Sequence, residues 1–162
     1  MPSPINVSAG SQAIIALGNV AGQADITGAS NAMVLPYLQD ITINNSTGVF
    51  RWKTLDSTAE NAATTPATNS ISMNIVVDES TFFGDNANTA NKVVADGIFG
   101  ASKDKTRVHF EIGLEGADST DTTISGSGFI SGLAPTVNMD APVWVTPITI
   151  EVDGDYTKGA VP

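Results

Sequence analysis

Thr106-Arg-Val-His-Phe-Glu-Ile-Gly-Leu-Glu115 alternates apolar and polar residues along its whole length. Val108, Phe110, Ile112 and Leu114 fall in one phase, and Arg107, His109, Glu111 and Glu115 in the other. Successive side chains of a strand point to opposite faces, so this pattern predicts a strand with one face on a core and one in water. The same period recurs at Ile71, Met73, Ile75 and Val77, with Ser72, Asn74 and Asp78 opposite. Tyr37–Asn44, through Ile41 and Ile43, and Val49–Leu55, through Phe50 and Trp52, read as two more strands. Asn45-Ser46-Thr47-Gly48 between them has the composition of a hairpin turn. Ser11–Leu17, through Ala13, Ile15 and Leu17, reads as a first strand.

Two further strands fill the last third. Thr122–Leu133 is rich in glycine and serine around Ile124, Phe129 and Ile130. Val143–Val152 carries Val143 and Val145 and then Ile148, Ile150 and Val152, a one-residue change of phase at Pro147 that predicts a bulge or an edge. One stretch departs from period two. Ala90, Val93, Val94, Gly97, Ile98 and Ala101 form a helical stripe, with Asn88 or Thr89 as cap and Gly100 as stop. The pattern therefore predicts a mainly β chain, an antiparallel sandwich or barrel with one flanking α-helix.

Length and composition set the frame. At 162 residues the chain suits one domain, residues 1–162, and an apolar share of 41% supplies a real core. Residues 55–70 contain no large apolar side chain after Leu55 and read as a long polar loop or arm. Seventeen acids against seven bases leave a formal charge of −10, which argues against gripping a phosphate backbone or an anionic membrane surface. Eight of the acids lie in residues 111–162 against Lys158 alone. No run reaches the ~18 apolar residues of a membrane span, and the early residues lack a signal-peptide pattern, so a cytoplasmic site of synthesis is expected.

The candidate chemistry is thin. A single histidine and no cysteine exclude cysteine-based zinc sites, iron–sulfur clusters and two-histidine metal motifs. His109 sits mid-strand with no Gly-x-Ser-x-Gly elbow in the chain, so a solvated strand histidine is the default and no enzyme is expected. Gly126-Ser-Gly128-Phe-Ile-Ser-Gly132 has no helix after it to complete a phosphate cradle, and reads as glycines where other atoms come close. Glu151-Val-Asp153-Gly-Asp155 lacks the spacing of a calcium loop and reads as a turn closing the last strand. No cofactor or metal is expected. With only 6% aromatic residues, Trp52 and Trp144 read as core or interface anchors rather than a sugar platform.

Arg107-Val-His-Phe-Glu-Ile-Gly, Gly126-Ser-Gly-Phe-Ile-Ser-Gly-Leu-Ala-Pro135 and Asp140-Ala-Pro-Val-Trp-Val-Thr-Pro-Ile-Thr-Ile-Glu-Val-Asp-Gly154 together resemble the closing strands of the major tail tube proteins of tailed bacteriophages. Pro147 and the charged Asp153-Gly-Asp155 depart from that pattern. The resemblance, shared with the type VI secretion tube, implies a structural virion subunit. Six copies would close a ring-shaped β-barrel, and rings would stack into a tail tube made in the host cytoplasm. Tape-measure protein and then double-stranded DNA would occupy its lumen, with a sheath and a tail terminator as further partners and no membrane. Under it, Glu111, Glu115, Thr149, Glu151 and Asp153 are the lumen-lining candidates, and Asp56, Glu60, Pro66 and Asn69 the inter-ring candidates. The alternatives are a capsid decoration or head–tail joining protein, or a small carbohydrate- or calcium-binding β-module.

Overall fold

The computed structural model describes residues 13–27, 31–35, 38–85, 90–113 and 122–160. They form one antiparallel sheet, as the mainly β pattern predicts, with two helices where the pattern gives one, because the five-residue helix Glu79–Phe83 is too short to show a helical stripe. The strands are β1 (Ile14–Gly18), β2 (Met33–Val34), β3 (Leu38–Trp52), β4 (Asn61–Val76), β5 (Val108–Gly113), β6 (Thr122–Leu133), β7 (Thr136–Asn138), β8 (Ala141–Val152) and β9 (Thr157–Ala160). The helices are α1 (Glu79–Phe83) and α2 (Lys92–Lys103). Strand order is β2-β1-β5-β6-β8-β4-β3, with β7 on β8 and β9 on β6.

The registers explain why period two was so legible. Ile43, Ile71, Ile150 and Ile130 pair in turn across β3, β4, β8 and β6. Ile41, Met73, Ile148 and Leu133 form the next apolar row. The intervening row, Thr42, Ser72, Thr149 and Gly132, faces the other way. A one-residue slip would turn every isoleucine to water, so burial fixes the register. Val93, Ile98 and Ala101 of α2 belong to the same core as Val108, Phe110 and Ile112 of β5. Ala16 of β1 is buried instead beneath Ile26, so residues 21–27 cover one border of the opposite face.

Several expectations need correction. The Asn45–Gly48 segment is not a turn: β3 runs straight through it against Ala67–Asn69, with a register shift just beyond Thr47. Nor are residues 61–70 a loop, because they pair with β3 as the first half of β4. Only residues 53–60 connect the two strands, with a bend among Thr54, Ser57 and Ala59 held by local hydrogen bonds. A run of Ala, Thr and Asn without large apolar residues reads as a loop, yet these residues pair with β3 along their backbone.

Pro147 does not change the phase of β8, since Thr146, Ile148 and Ile150 are all buried. Val143 and Trp144 are simply exposed. The Trp144 carbonyl accepts from Val77 N on the β4 side, so by alternation the nitrogen of Pro147 faces the opposite neighbour. There β6 ends at Leu133 and β7 begins at Thr136, so no ladder bond is lost. Asp153-Gly154 is not a closing turn either. Residues 153–156 bulge out opposite Gly126-Ser127, and β9 then resumes along β6.

The helical stripe is real but kinked. Gly97 has φ 72 inside α2, and Gly84 after α1 has φ 83. A Cβ on Gly97 would collide with the backbone of Phe82–Gly84, and one on Gly84 with the backbone of Ala95 and Asp96. The cap is Asn91, whose side chain accepts from Val93 N at 3.0 Å. Its amide nitrogen donates to the Asn31 carbonyl at 3.0 Å. Residues 88 and 89 lie outside the described residues, and Gly100 is internal to the helix, which runs on to Lys103.

Candidate functional site: an open polar face and a projecting arm

The face away from the isoleucine rows is built mostly from polar side chains, with Phe129 exposed among them. Asn44, Ser70, Glu151 and Phe129 form one cross-strand row, and Asp40, Asn74 and Pro147 another. Asn74 Nδ2 donates to both carboxylate oxygens of Asp40, at 3.0 and 2.8 Å. Asn44 donates to Ser70 Oγ at 3.4 Å, and Ser131 Oγ to Glu151 Oε1 at 3.4 Å. Of the lumen candidates, Thr149 is half-buried and Glu151 is exposed on this face. Asp153 is exposed too, but Arg107 Nη1 holds it at 2.8 Å while Arg107 Nη2 donates to Ser127 Oγ at 2.9 Å. Glu115 lies outside the described residues. Asp40 was missed in the sequence, although its alternation with Ile41 is the signal that finds it.

Glu111 belongs to the same face, in register with Ser125 and Ala16, but lies at the border that residues 21–27 cover. It lines a hollow of about 320 Å³ with His109, Ser125, Asp153 and Asp155. Burial pushes its carboxyl pKa up, with Asp25 adding to the effect. One of its oxygens is enclosed without a hydrogen-bond partner. Burial, and then the neighbouring Arg107, push the His109 imidazole down. His109 and Ser127 are cross-strand neighbours. Among the described residues no hydrogen bond joins them, and Ser127 Oγ is taken by Arg107, so the donor–acceptor relay of an activated serine is not assembled. No three metal-ligating side chains converge among the described residues.

The glycines of β6 are close-approach positions, as the sequence suggests. A Cβ on Gly126 would press the Phe110 ring, and one on Gly128 would collide with the Glu151 carbonyl.

The second feature is the distal half of the β3–β4 hairpin. β8 pairs with β4 only from Asn69 onward, so among the described residues β3 is the one strand that pairs with residues 61–68. Asn44 to Glu60 are all exposed apart from Ser57. The arm carries Val49, Phe50, Trp52 and Leu55 in water, with the Phe50 and Trp52 rings stacked at 5.8 Å. An unsupported two-stranded hairpin is marginal in water, and such a run of exposed large side chains marks a contact surface. Asp56, Glu60 and Pro66 all lie on this arm. Glu60 faces Arg51 at 3.8 Å, a side-chain hydrogen bond from Thr54 lowers the Asp56 pKa, and Pro66 occupies a register shift with a free outer edge. Asn69 does not belong with them. It is only 2% exposed and donates to the Gly154 carbonyl, so it serves its own subunit.

No family model matches the chain, and no curated protein does. Solved structures do. Over 91% of its length it is similar to 95% of a subunit from the tail of an empty gene transfer agent particle with C6 symmetry, at TM-score 0.55 and 14% identity. The virion of a native gene transfer agent particle matches with TM-score 0.54 and 12% identity, over 90% of this chain and 95% of that one. The SPP1 tail tube matches with TM-score 0.59 and 11% identity, over 94% and 78%. The chain thus has the fold found in tail tube subunits.

Proposed function

We propose that this chain is a structural virion protein, the subunit of a phage-type tail tube, and that it acts by self-assembly rather than by catalysis. The observation that carries the reading is the combination of that fold over nine-tenths of the chain with a sheet whose face away from the core is, among the described residues, covered only along one border, by residues 21–27. Among the described residues, β3 has no strand partner on one side, and on the other the sheet ends in the two-residue β2. Unpaired edges are satisfied when neighbouring copies close sheet onto sheet into a ring. The C6 symmetry of one structural relative supports six copies.

In such a ring the helices lie on one side of the wall and the Asn44–Ser70–Glu151 row lines the bore. Asp40 and Glu151 are its open acids, and Thr149 and the serines supply hydroxyls. Duplex DNA carries about one charge per 1.7 Å and is held by clustered cations. A hydroxyl-rich, weakly acidic wall gives it nothing to bind, so the genome and the tape-measure protein before it slide. Repulsion acts over about 8–10 Å at ordinary salt, as a cushion near the wall. A sheath and a terminator are the partners a tail of this kind would add. The arm, with Asp56, Glu60 and Pro66, reaches the next ring.

Negative-stain imaging of purified protein over a concentration series tests the reading. Rings and hollow tubes are expected. A monodisperse monomer at every concentration overturns it.

A further inference from the structure

β4 joins two exposed surfaces at its opposite ends. At its beginning is the arm, with Phe50 61% exposed and Leu55 fully so. At its end the chain enters α1, where Val77, Glu79, Phe83 and Trp144 line a hollow of about 200 Å³. Phe83 and Trp144 are about half exposed there, and Phe99 extends the patch, its ring 6.0 Å from that of Phe83. Sixteen residues of strand separate the two surfaces, roughly 50 Å at 3.3 Å per residue. One copy therefore cannot bring its arm to its own hollow, whereas a head-to-tail neighbour can.

The arm's two cations, Arg51 and Lys53, are matched in number by Asp56 and Glu60, so any charge match with the hollow rests on one pair rather than on net charge. Residues 77–85 contain Asp78, Glu79 and Asp85 and no lysine or arginine. Asp78 is engaged at the N-terminus of α1, bonding Ser80 and Thr81, while Glu79 is exposed and is the acid that lines the hollow. The arm carries Arg51 and Lys53 on either side of Trp52. Arg51 pairs with Glu60, while Lys53 belongs to none of the ion pairs among the described residues.

We propose that the arm of one copy docks in the Val77–Phe83–Trp144 hollow of the next copy along the tube, with Lys53 against Glu79. This rests on the tube reading and names the seat that the arm occupies. A contact between two different surfaces repeats without closing on itself, which is how rings would extend into a filament. Arm length, aromatic anchoring and the cation together set the spacing between rings.

The chain has no cysteine, so Lys53→Cys and Glu79→Cys each introduce a unique thiol. The two single variants are mixed, assembled and treated with a short bis-maleimide, and the same samples are imaged. Covalent heterodimers in the mixture, with little dimer in either variant alone, are expected. A protein carrying both changes should give a ladder beyond dimer. Lys53→Glu and Glu79→Lys should each shorten or abolish tubes, and the double swap should restore them. Tubes of normal length without heterodimers, or charge reversals without effect on length, overturn this docking and leave the tube reading standing. Monomers alone, with no ring or tube even for the unmodified chain, overturn both.

Discussion

Asn69 Nδ2 donates to the carbonyl of Gly154 at 2.8 Å across the sheet. Two residues on, the Tyr156 hydroxyl reaches the carbonyls of Asn44 at 2.7 Å and Ser70 at 3.0 Å. The bulge at residues 153–156 is thereby fastened to the root of the arm, where β3 and β4 leave the sheet. On its other flank Asp153 is held by Arg107. One irregular tetrapeptide fixes the direction in which the arm projects.

Replacing Asn69 tests that fastening. Asn69→Ala leaves the Gly154 carbonyl without its donor and should cost about 1–2 kcal/mol. For a chain this size that is a Tm drop of roughly 2–8 °C. Asn69→Asp should cost more, because a carboxylate cannot donate and would face Asp155, whose Oδ1 lies 3.4 Å from the Asn69 amide nitrogen. Thermal unfolding measures both, and an Asp variant as stable as the Ala variant would contradict the account.

Gly128→Ala should be among the most damaging single changes. Its new methyl would meet the Glu151 carbonyl, which belongs to the backbone of β8 and cannot swing aside. Overpacking of this kind costs about 1–3 kcal/mol. Gly154→Ala offers the contrast, since nothing lies within 4 Å of a Cβ there and only its φ of 94 opposes the change. Denaturant midpoints should rank Gly128→Ala below Gly154→Ala.

The arm separates folding from assembly. Phe50 and Trp52 stack on each other and are exposed, outside the buried core cluster. Phe50→Ser with Trp52→Ser should leave the monomer's Tm within a few degrees while abolishing long tubes. Sedimentation and imaging give the assembly state, and calorimetry the stability. A large loss of monomer stability would show that the arm packs on its own subunit.

Glu111 and His109 make opposite contributions to the pH dependence of stability. The carboxyl of Glu111 is raised above its ordinary 4.5, so the folded chain binds its proton more readily than the unfolded chain. Its ionisation therefore costs stability at neutral pH, and that cost is relieved as pH falls toward 4.5. His109 is held below its ordinary 6.5, so the unfolded chain takes up the proton first and stability falls as pH drops below that value. Glu111→Gln should be more stable than the parent at neutral pH and converge with it in acid. His109→Gln should lose less stability on mild acidification. Unfolding curves across pH check both, and an unchanged pH profile in either variant refutes the corresponding assignment.

The open face can be recharged. Tubes of Asp40→Lys with Glu151→Lys should retain short duplex DNA at low salt and release it steeply as salt rises, whereas parent tubes should not retain it. Co-sedimentation gives the result. Equal retention by both would remove the role given to this wall.

Chain chemistry alone determined which residues of a strand share a face. The Val108–Phe110–Ile112 and Ile71–Met73–Ile75 alternations needed no partner to be read, because a side-chain period of two is a local property and burial permits only one phase. The glycines at 126 and 128 were legible for a similar reason, as gaps in a strand that something must fill. What the sequence could not show was where pairing ends. Residues 61–68 have the composition of a loop and become strand because β3 lies beside them. Asp153–Asp155 has the composition of a turn and becomes a bulge because β6 continues past it. Asn69 looked like surface and is core because residues 153–156 fold over it. Each of these outcomes depends on a neighbour far away in the chain, and no local pattern carries that information.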